Sequence, residues 1–350
     1  MKSPIGLFVV LTSLLCGLGA PAWADPGYRL VPVTDDAGAS DLLVIDLNRR
    51  GEVVGASFTD SGLRAFRWRA GQFTDLHDVI DSTSNFTEAV GINDRSTIAA
   101  VRNNIITESF EGVLLRGSQL TPLTVVAGET QVFPLDINNR EQIIVDSLGG
   151  AQSGSFLVDG DNVQFLEGLP GETDSTHAIA INERGNIAGN TRTAAGSRAV
   201  LWEDGAIMDL GLVPGATASF VYALNDRQQV VGVASIGGAS QAMRWQDGEM
   251  TLLPQLQGQA ASTPAGINNW GVIVGNTIIL QPEFRSTATL WLGSHVVELD
   301  SLVRADDPLK PFVHLESAEL INDRGDIVVA GVDSRTPGVR ATYFMTLFDN

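Results

Sequence analysis

AINERGNIAG, residues 180–189, is one of seven near-copies of a single ten-residue phrase. The others read DLNRRGEVVG, GINDRSTIAA, DINNREQIIV, ALNDRQQVVG, GINNWGVIVG and LINDRGDIVV. Their asparagines are Asn48, Asn93, Asn138, Asn182, Asn225, Asn268 and Asn322, so the spacing is 45, 45, 44, 43, 43 and 54 residues. A fixed period of this size marks a repeat architecture, and it takes precedence over any local reading. Within the phrase, Leu or Ile always precedes the Asn, where a strand ends in the core. Asn suits a tight turn because it tolerates left-handed backbone and bonds its own main chain. Gly51, Gly185, Gly271 and Gly325 follow three residues later in four copies, and a β-branched residue opens the next strand at Val53, Ile98, Ile143, Ile187, Val230, Ile273 and Ile327. The phrase therefore reads as a hairpin from a strand A to a strand B.

Working outward, a third strand C follows each hairpin as AFRW, VLLR, SFLV, AVLW, AMRW, ATLW or ATYFM. Gly-containing turns come next in six copies (RAGQ, RGSQ, DGDN, EDGA, QDGE, LGSH), and then a strand D that ends on Leu76, Leu123, Leu166, Leu210, Leu253 or Leu299. Four antiparallel strands per unit is the size and strand count of a propeller blade. The seventh unit stops after strand C, while YRLVPV (Tyr28 to Val33) precedes any strand A. The orphan strand supplies the missing D. Pairing it with the last unit closes a ring and removes two sheet edges that would invite aggregation. An open solenoid would instead need capping units. The expected fold is an all-β, seven-bladed β-propeller of four-stranded antiparallel blades, closed by an N-terminal strand that completes the last blade. It forms a single domain over residues 25–350.

The phrase I-N-x-x-G-x-I-V-G, followed by A-F-x-W and a Gly turn, resembles the HAF-repeat family of bacterial extracellular proteins. The best copies are 181–189 with 199–202 and 267–275 with 288–291. The second and third copies depart most, with Ser96 and Glu141 in place of Gly and no Trp in strand C. The resemblance covers essentially the whole chain after residue 24. It implies export and a repeat fold. It brings no assigned catalytic residues, so no role carries over.

Bulk properties narrow the function. The chain has 350 residues, 44% hydrophobic, with a formal net charge of −19. So acidic a chain argues against nucleic acid, which needs a clustered basic surface. Lys2, an apolar run over residues 5–18 and Ala22-Trp23-Ala24 read as a signal peptide spanning 1–24, with Asp25 as the first mature residue. The protein is thus expected to be secreted, to the periplasm or the extracellular medium. A lipoprotein reading fails because the bulky Leu15 precedes Cys16. Cys16, the one cysteine, leaves with the leader, so no disulfide or thiol nucleophile is expected. No later run is long enough for a membrane span.

Each candidate site also has a plainer role. Trp68, Trp202, Trp245 and Trp291 recur at one strand C position. They could stack sugars, but blade-to-blade packing is favoured because the position stays apolar without Trp. Arg50, Arg95, Arg140, Arg184, Arg227 and Arg324 stand two residues after the Asn and could ring an anion. Satisfying carbonyls or carboxylates within the blades is favoured, because the position is locked to the turn. His77, His177, His295 and His314 show no metal-ligand spacing. Asp35-Asp36 and Asp306-Asp307 read as turn charges, and Asn85-Phe86-Thr87 fits a glycosylation sequon. No nucleophile-elbow, zinc-protease, phosphate-loop or dinucleotide motif occurs. No catalytic, cofactor-binding or metal residue is assigned, and no cofactor is expected.

In this topology the A–B and C–D turns share one face, short and repetitive, while the irregular B–C and D–A loops share the other. Variable loops on a rigid scaffold are where binding usually lives. The longest insertions, 277–286 and 303–317, flank blades six and seven. The expectation is a non-catalytic binding or scaffolding module, with an unknown ligand or protein on the loop face near those blades. The alternative is a secreted hydrolase or lyase that acts on a polysaccharide through loop-face carboxylates, with Asp306, Asp307, Lys310 and His314 as the residues to test.

Overall fold

The computed structural model describes residues 27–35, 38, 42–104, 108–125, 131–149, 153–170, 176–280 and 283–347. The expected leader, 1–24, lies outside them, as does Asp36. The described chain forms seven four-stranded antiparallel sheets. Six take their strands in sequence order; blade one, for example, runs through Leu42–Leu47, Glu52–Thr59, Gly62–Arg69 and Gln72–Asp75. The seventh sheet orders the N-terminal strand Tyr28–Val33 beside Arg340–Leu347, then Ile327–Asp333 and Val313–Ile321. Tyr28 pairs with Leu347 and Val33 with Thr342. Each strand A touches the strand A of the next blade, and that of blade seven touches that of blade one. The ring is closed as the complementary ends require.

The repeated phrase has a hydrogen-bonding reason at every position. Asn48 Oδ1 accepts the backbone N–H of Arg50 at 2.9 Å and of Glu52 at 3.0 Å. Its Nδ2 donates to the Glu52 carboxylate at 2.7 Å and to the backbone carbonyl of Asn93, one blade on, at 3.0 Å. All four bonds available to the amide are made. The inter-blade bond recurs from Asn93 to Asn138, Asn138 to Asn182, Asn182 to Asn225, Asn225 to Asn268 and Asn268 to Asn322. It closes from Asn322 back to the Asn48 carbonyl at 3.0 Å. Every Asn in this ring is buried. No other side chain of this length offers an acceptor to its own turn and two donors beyond it. The residue three after the Asn takes positive φ in all seven copies: 74, 88, 78 and 80° at the four glycines, 64° at Ser96, 60° at Glu141 and 58° at Gln228. Glycine relieves strain in four blades; three bear it.

Strand C and the loop side are stitched in a second pattern. The Ala65, Ala199 and Ala242 N–H groups donate to Thr87, Ser219 and Ser262 Oγ of the following blade at 2.9–3.0 Å. In blades one to five the Leu after strand D hooks back, Leu76 N–H bonding the Ala65 carbonyl at 2.9 Å and Leu210 that of Ala199 at 3.0 Å. The tryptophans are core. Trp68, Trp202 and Trp291 are 1–2% exposed and Trp245 6%. Each packs against the preceding blade: Trp68 lies 5.2 Å from the Phe344 ring of blade seven, and Trp202 clusters with Ile144 and Leu166 of blade three. Polar tips are satisfied as buried indoles demand, with Trp202 Nε1 donating to the Glu167 carbonyl and Trp291 Nε1 to that of Pro254.

The long connection into blade seven is a clasp. A 3-10 turn, Leu299–Leu302, leads to a segment that grips the N-terminal strand. Arg304 N–H donates to the Tyr28 carbonyl at 3.0 Å, and Asp307 Oδ2 accepts the Leu30 N–H at 3.0 Å. Arg29 bonds Asp306 at 2.8 Å. Tyr28 itself is wholly buried, its hydroxyl donating to the Gly325 carbonyl at 3.0 Å.

Candidate functional site

Two clefts of unlike chemistry lie on opposite faces. On the turn face, the residue one after each Asn points to the channel mouth, a cavity of about 200 Å³. These residues are Arg49, Asp94, Asn139, Glu183, Asp226, Asn269 and Asp323. They form a second ring. Arg49 N–H donates to Asp94, Asp94 N–H to Asn139, Asn139 N–H to Glu183, Glu183 N–H to Asp226, Asp226 N–H to Asn269 and Asn269 N–H to Asp323, all at 2.7–3.1 Å. Asp323 finds no acceptor on Arg49, and the seventh link runs the other way: Arg49 Nε donates to Asp323 at 2.8 Å. The guanidinium also lies 3.6 Å from Asp94 and 3.5 Å from Asp226. This ring was missed in the sequence. The available signal was a position that is polar in all seven copies.

Just below, Asp46 and Asp136 sit in the channel wall. Asp46 accepts the N–H of Leu47 at 2.7 Å and of Ile92 at 2.7 Å; Asp136 accepts those of Ile137 at 2.7 Å and Ile181 at 2.9 Å. Burial pushes the Asp46 carboxyl up to about 6. Burial, reinforced by the charge of Asp46, pushes Asp136 up to about 8.

The arginines two after the Asn donate their backbone N–H to the Asn Oδ1, as at Arg140 and Arg184. Their side chains do not turn inward; all six are exposed. Arg324 faces Asp326 at 3.7 Å, and Arg95 acts on Glu141.

On the loop face a cavity of about 620 Å³ opens between blades six and seven, where the variable loops were expected to hold a ligand. That size suits a small-molecule or side-chain seat. Phe284 stands at its rim, 71% exposed. Three ion pairs build the wall. Arg285 grips Glu298 in a fork at 2.8 and 2.9 Å. Arg340 bonds Glu319 at 3.0 Å and Ser317 at 2.5 Å. His314 Nδ1 meets Asp300 at 2.7 Å and its Nε2 meets the Ser286 carbonyl at 3.1 Å. An ionised Asp300 and the Ser286 carbonyl both accept, so the pair favours the protonated ring. Its pKa is accordingly raised, first by the Asp300 hydrogen bond.

The residues singled out for a hydrolytic reading are thereby dispersed. Asp307 is 2% exposed and serves the clasp, accepting Leu30 and Leu309 N–H groups. Asp306 is bound by Arg29 and Arg304. Lys310 donates to the Val303 carbonyl. His314 alone reaches the cavity. Elsewhere, His77 is buried against Thr87 at 3.0 Å, and His177 faces Asp146 at 3.2 Å. Among the described residues no group of three or more His, Cys, Asp or Glu is placed to hold a metal, and no helix is long and apolar enough to cross a membrane.

No protein-family model matches the sequence, and no curated protein matches it significantly. Solved structures do share its shape. The β-propeller domain of the Trilobed protease from Pyrococcus furiosus aligns with a TM-score of 0.57 at 9% identity, over 88% of this chain and 94% of that one. Oligogalacturonate lyase from Vibrio parahaemolyticus gives 0.56 at 12% identity, over 92% and 97%. YCF48 bound to D1 peptide gives 0.51 at 8% identity, over 95% and 100%. At such identities the likeness establishes the propeller and nothing finer.

Proposed function

We propose that this chain is an exported, non-catalytic binding module of HAF-repeat type, which holds its ligand in the loop-face cavity between blades six and seven. The observation that carries the reading is the state of that cavity. It has the volume of a ligand seat and a rim aromatic open to solvent. Yet both ring nitrogens of its one histidine are already engaged, by Asp300 and by the Ser286 carbonyl, which leaves neither free for base work on a ligand. The long insertion that carries Asp306, Asp307 and Lys310 is spent on ring closure. Among the structural neighbours, one propeller is known with a bound peptide. Filling the cavity with Ser317→Trp tests the proposal: capture of the physiological partner from the cell surface should be lost, while Arg184→Trp on the opposite face leaves it intact. The converse pattern sinks it.

A second reading, a hydrolase or lyase acting on a polysaccharide through loop-face carboxylates, has one supporting observation. Glu88, near the loop-side start of a strand A, has its carboxyl raised by burial, as a general acid requires. A neighbour named as a lyase shares the fold. Cleavage of a polysaccharide panel by the wild type, abolished by Glu88→Gln, would favour this reading over the first.

A further inference from the structure

The charges of the loop-face cavity do not cancel, and the remainder identifies the ligand. Arg285 is neutralised by Glu298, Arg340 by Glu319 and His314 by Asp300. Glu316 is left over. Its nearest cation is Arg340 Nε at 3.9 Å, on a guanidinium that Glu319 and Ser317 already hold. A carboxylate in the wall of a cleft that is also lined by an aromatic residue, 71% exposed, matches a cation carried on an apolar stem: the carboxylate meets the charge and the ring face meets the stem or the charge itself.

A second cleft adjoins the first across strand A of blade seven. Glu319 and Arg340 line both, and the second is completed by Leu42, Leu43 and Val44 of blade one. Leu43 is 40% exposed there. One cleft thus offers a carboxylate and a ring, and the next the exposed side chain of Leu43 in an otherwise mostly polar lining. We infer that the site takes a basic polypeptide segment, an arginine or lysine side chain entering beside Glu316 and Phe284 and a neighbouring apolar residue resting on Leu43. The chain's net charge of −19 attracts such a partner from a distance. This rests on the binding-module reading, and adds the chemical class of the ligand to it.

The test uses the full chain and three fluorescein-labelled tetrapeptides with blocked ends: Gly-Arg-Leu-Gly, its Gln analogue and its Glu analogue. The Arg peptide should bind at least about tenfold more tightly than the Gln peptide, the difference one charge-assisted hydrogen bond makes, and the Glu peptide weakest of all. Glu316→Gln should weaken the Arg peptide by about tenfold and leave the Gln peptide where it was. Phe284→Ala provides an independent variant on an exposed loop, expected to weaken the Arg peptide without altering the unfolding temperature. Tighter binding of the Gln or Glu peptide, or of a neutral glycan, that Ser317→Trp blocks would overturn the basic-peptide inference while the binding-module reading stands. Arg-peptide binding that survives both Glu316→Gln and Ser317→Trp would overturn the inference and the cavity together.

Discussion

The turn-face mouth of the channel and the loop-face cleft between blades six and seven are both lined with carboxylates, and the cleft holds one acid more than its cations neutralise. On the turn face, the side chains of Asp94, Glu183, Asp226 and Asp323 each accept a backbone N–H from the preceding blade. Arg49 bridges three of these acids. They are part of the ring's own hydrogen-bond accounting. On the loop face between blades six and seven, Asp300 accepts the Leu315 N–H and pairs with His314, Glu298 pairs with Arg285 and Glu319 with Arg340, and Glu316 remains as a fourth acid against three cations. A dense patch of charge is therefore a poor marker of a site; the informative question is whether the main chain has already claimed the groups.

That contrast can be broken most severely at the closure on which both faces depend. Tyr28→Ala empties a wholly buried position and removes the bond to Gly325, and should cost about 3–5 kcal/mol in urea unfolding. A change within about 0.5 kcal/mol, the range of an ordinary surface substitution, would mean that the N-terminal strand is not what seals blade seven. Next comes the Asn ring against the arginine beside it. Asn225→Ala strands the buried Gln229 N–H and the half-buried Arg227 N–H of the turn, the Asn268 carbonyl and the Gln229 side chain, and is expected to cost about 2–3 kcal/mol. Arg227→Ala, on an exposed side chain, should stay within about 0.5 kcal/mol. Equal effects would erase the distinction between inward and outward positions of the phrase. Asp307→Ala probes the clasp. It should cost about 1–3 kcal/mol, since the Leu30 N–H loses its acceptor, and that amide should exchange faster by hydrogen-exchange NMR.

The contrast also carries a pH dependence. Asp46 and Asp136 have carboxyls raised by burial, so the folded chain keeps protons that the unfolded chain releases. Their contribution is complete below the usual aspartate range near about 4. It is lost as the pH climbs through about 6 for Asp46 and about 8 for Asp136. His314 acts in the same direction, its pairing with Asp300 weakening as the pH rises through its raised value. The unfolding temperature should therefore rise on acidification from about pH 8 to about pH 5, and Asp136→Asn should flatten that slope whatever it does to the temperature itself. An unchanged slope would place the proton elsewhere.

Much of the fold was legible in the chain order. The period, the four strands per unit, the orphan strand at one end and its gap at the other, and the apolar strand C position now filled by buried Trp68 and Trp202 could all be read without coordinates. The location of the loop-face cavity was legible too, because long insertions flank blades six and seven. The part played by the longer insertion was not. Residues 303–317 read as a binding loop, and His314, Glu316 and Ser317 do line the cavity, but Arg304, Asp306 and Asp307 clamp a strand some 277 residues away in sequence. The polar ring behind each Asn was equally hidden. Arg in six copies at the second position drew the eye, while the first position, whose residues differ in kind, does the inward work.

What the sequence determined by itself is thus the repeat and its closure, because hydrophobic period, turn chemistry and complementary ends are local properties that each copy states again. Which polar groups remain available was decided only by the tertiary structure. A carboxylate's fate depends on whether the neighbouring blade, 43 to 54 residues further along, presents it with an N–H, a guanidinium or open water. Copies that look alike in sequence meet different neighbours around the ring, and that difference separates the acids that hold the propeller shut from the one left facing its cleft.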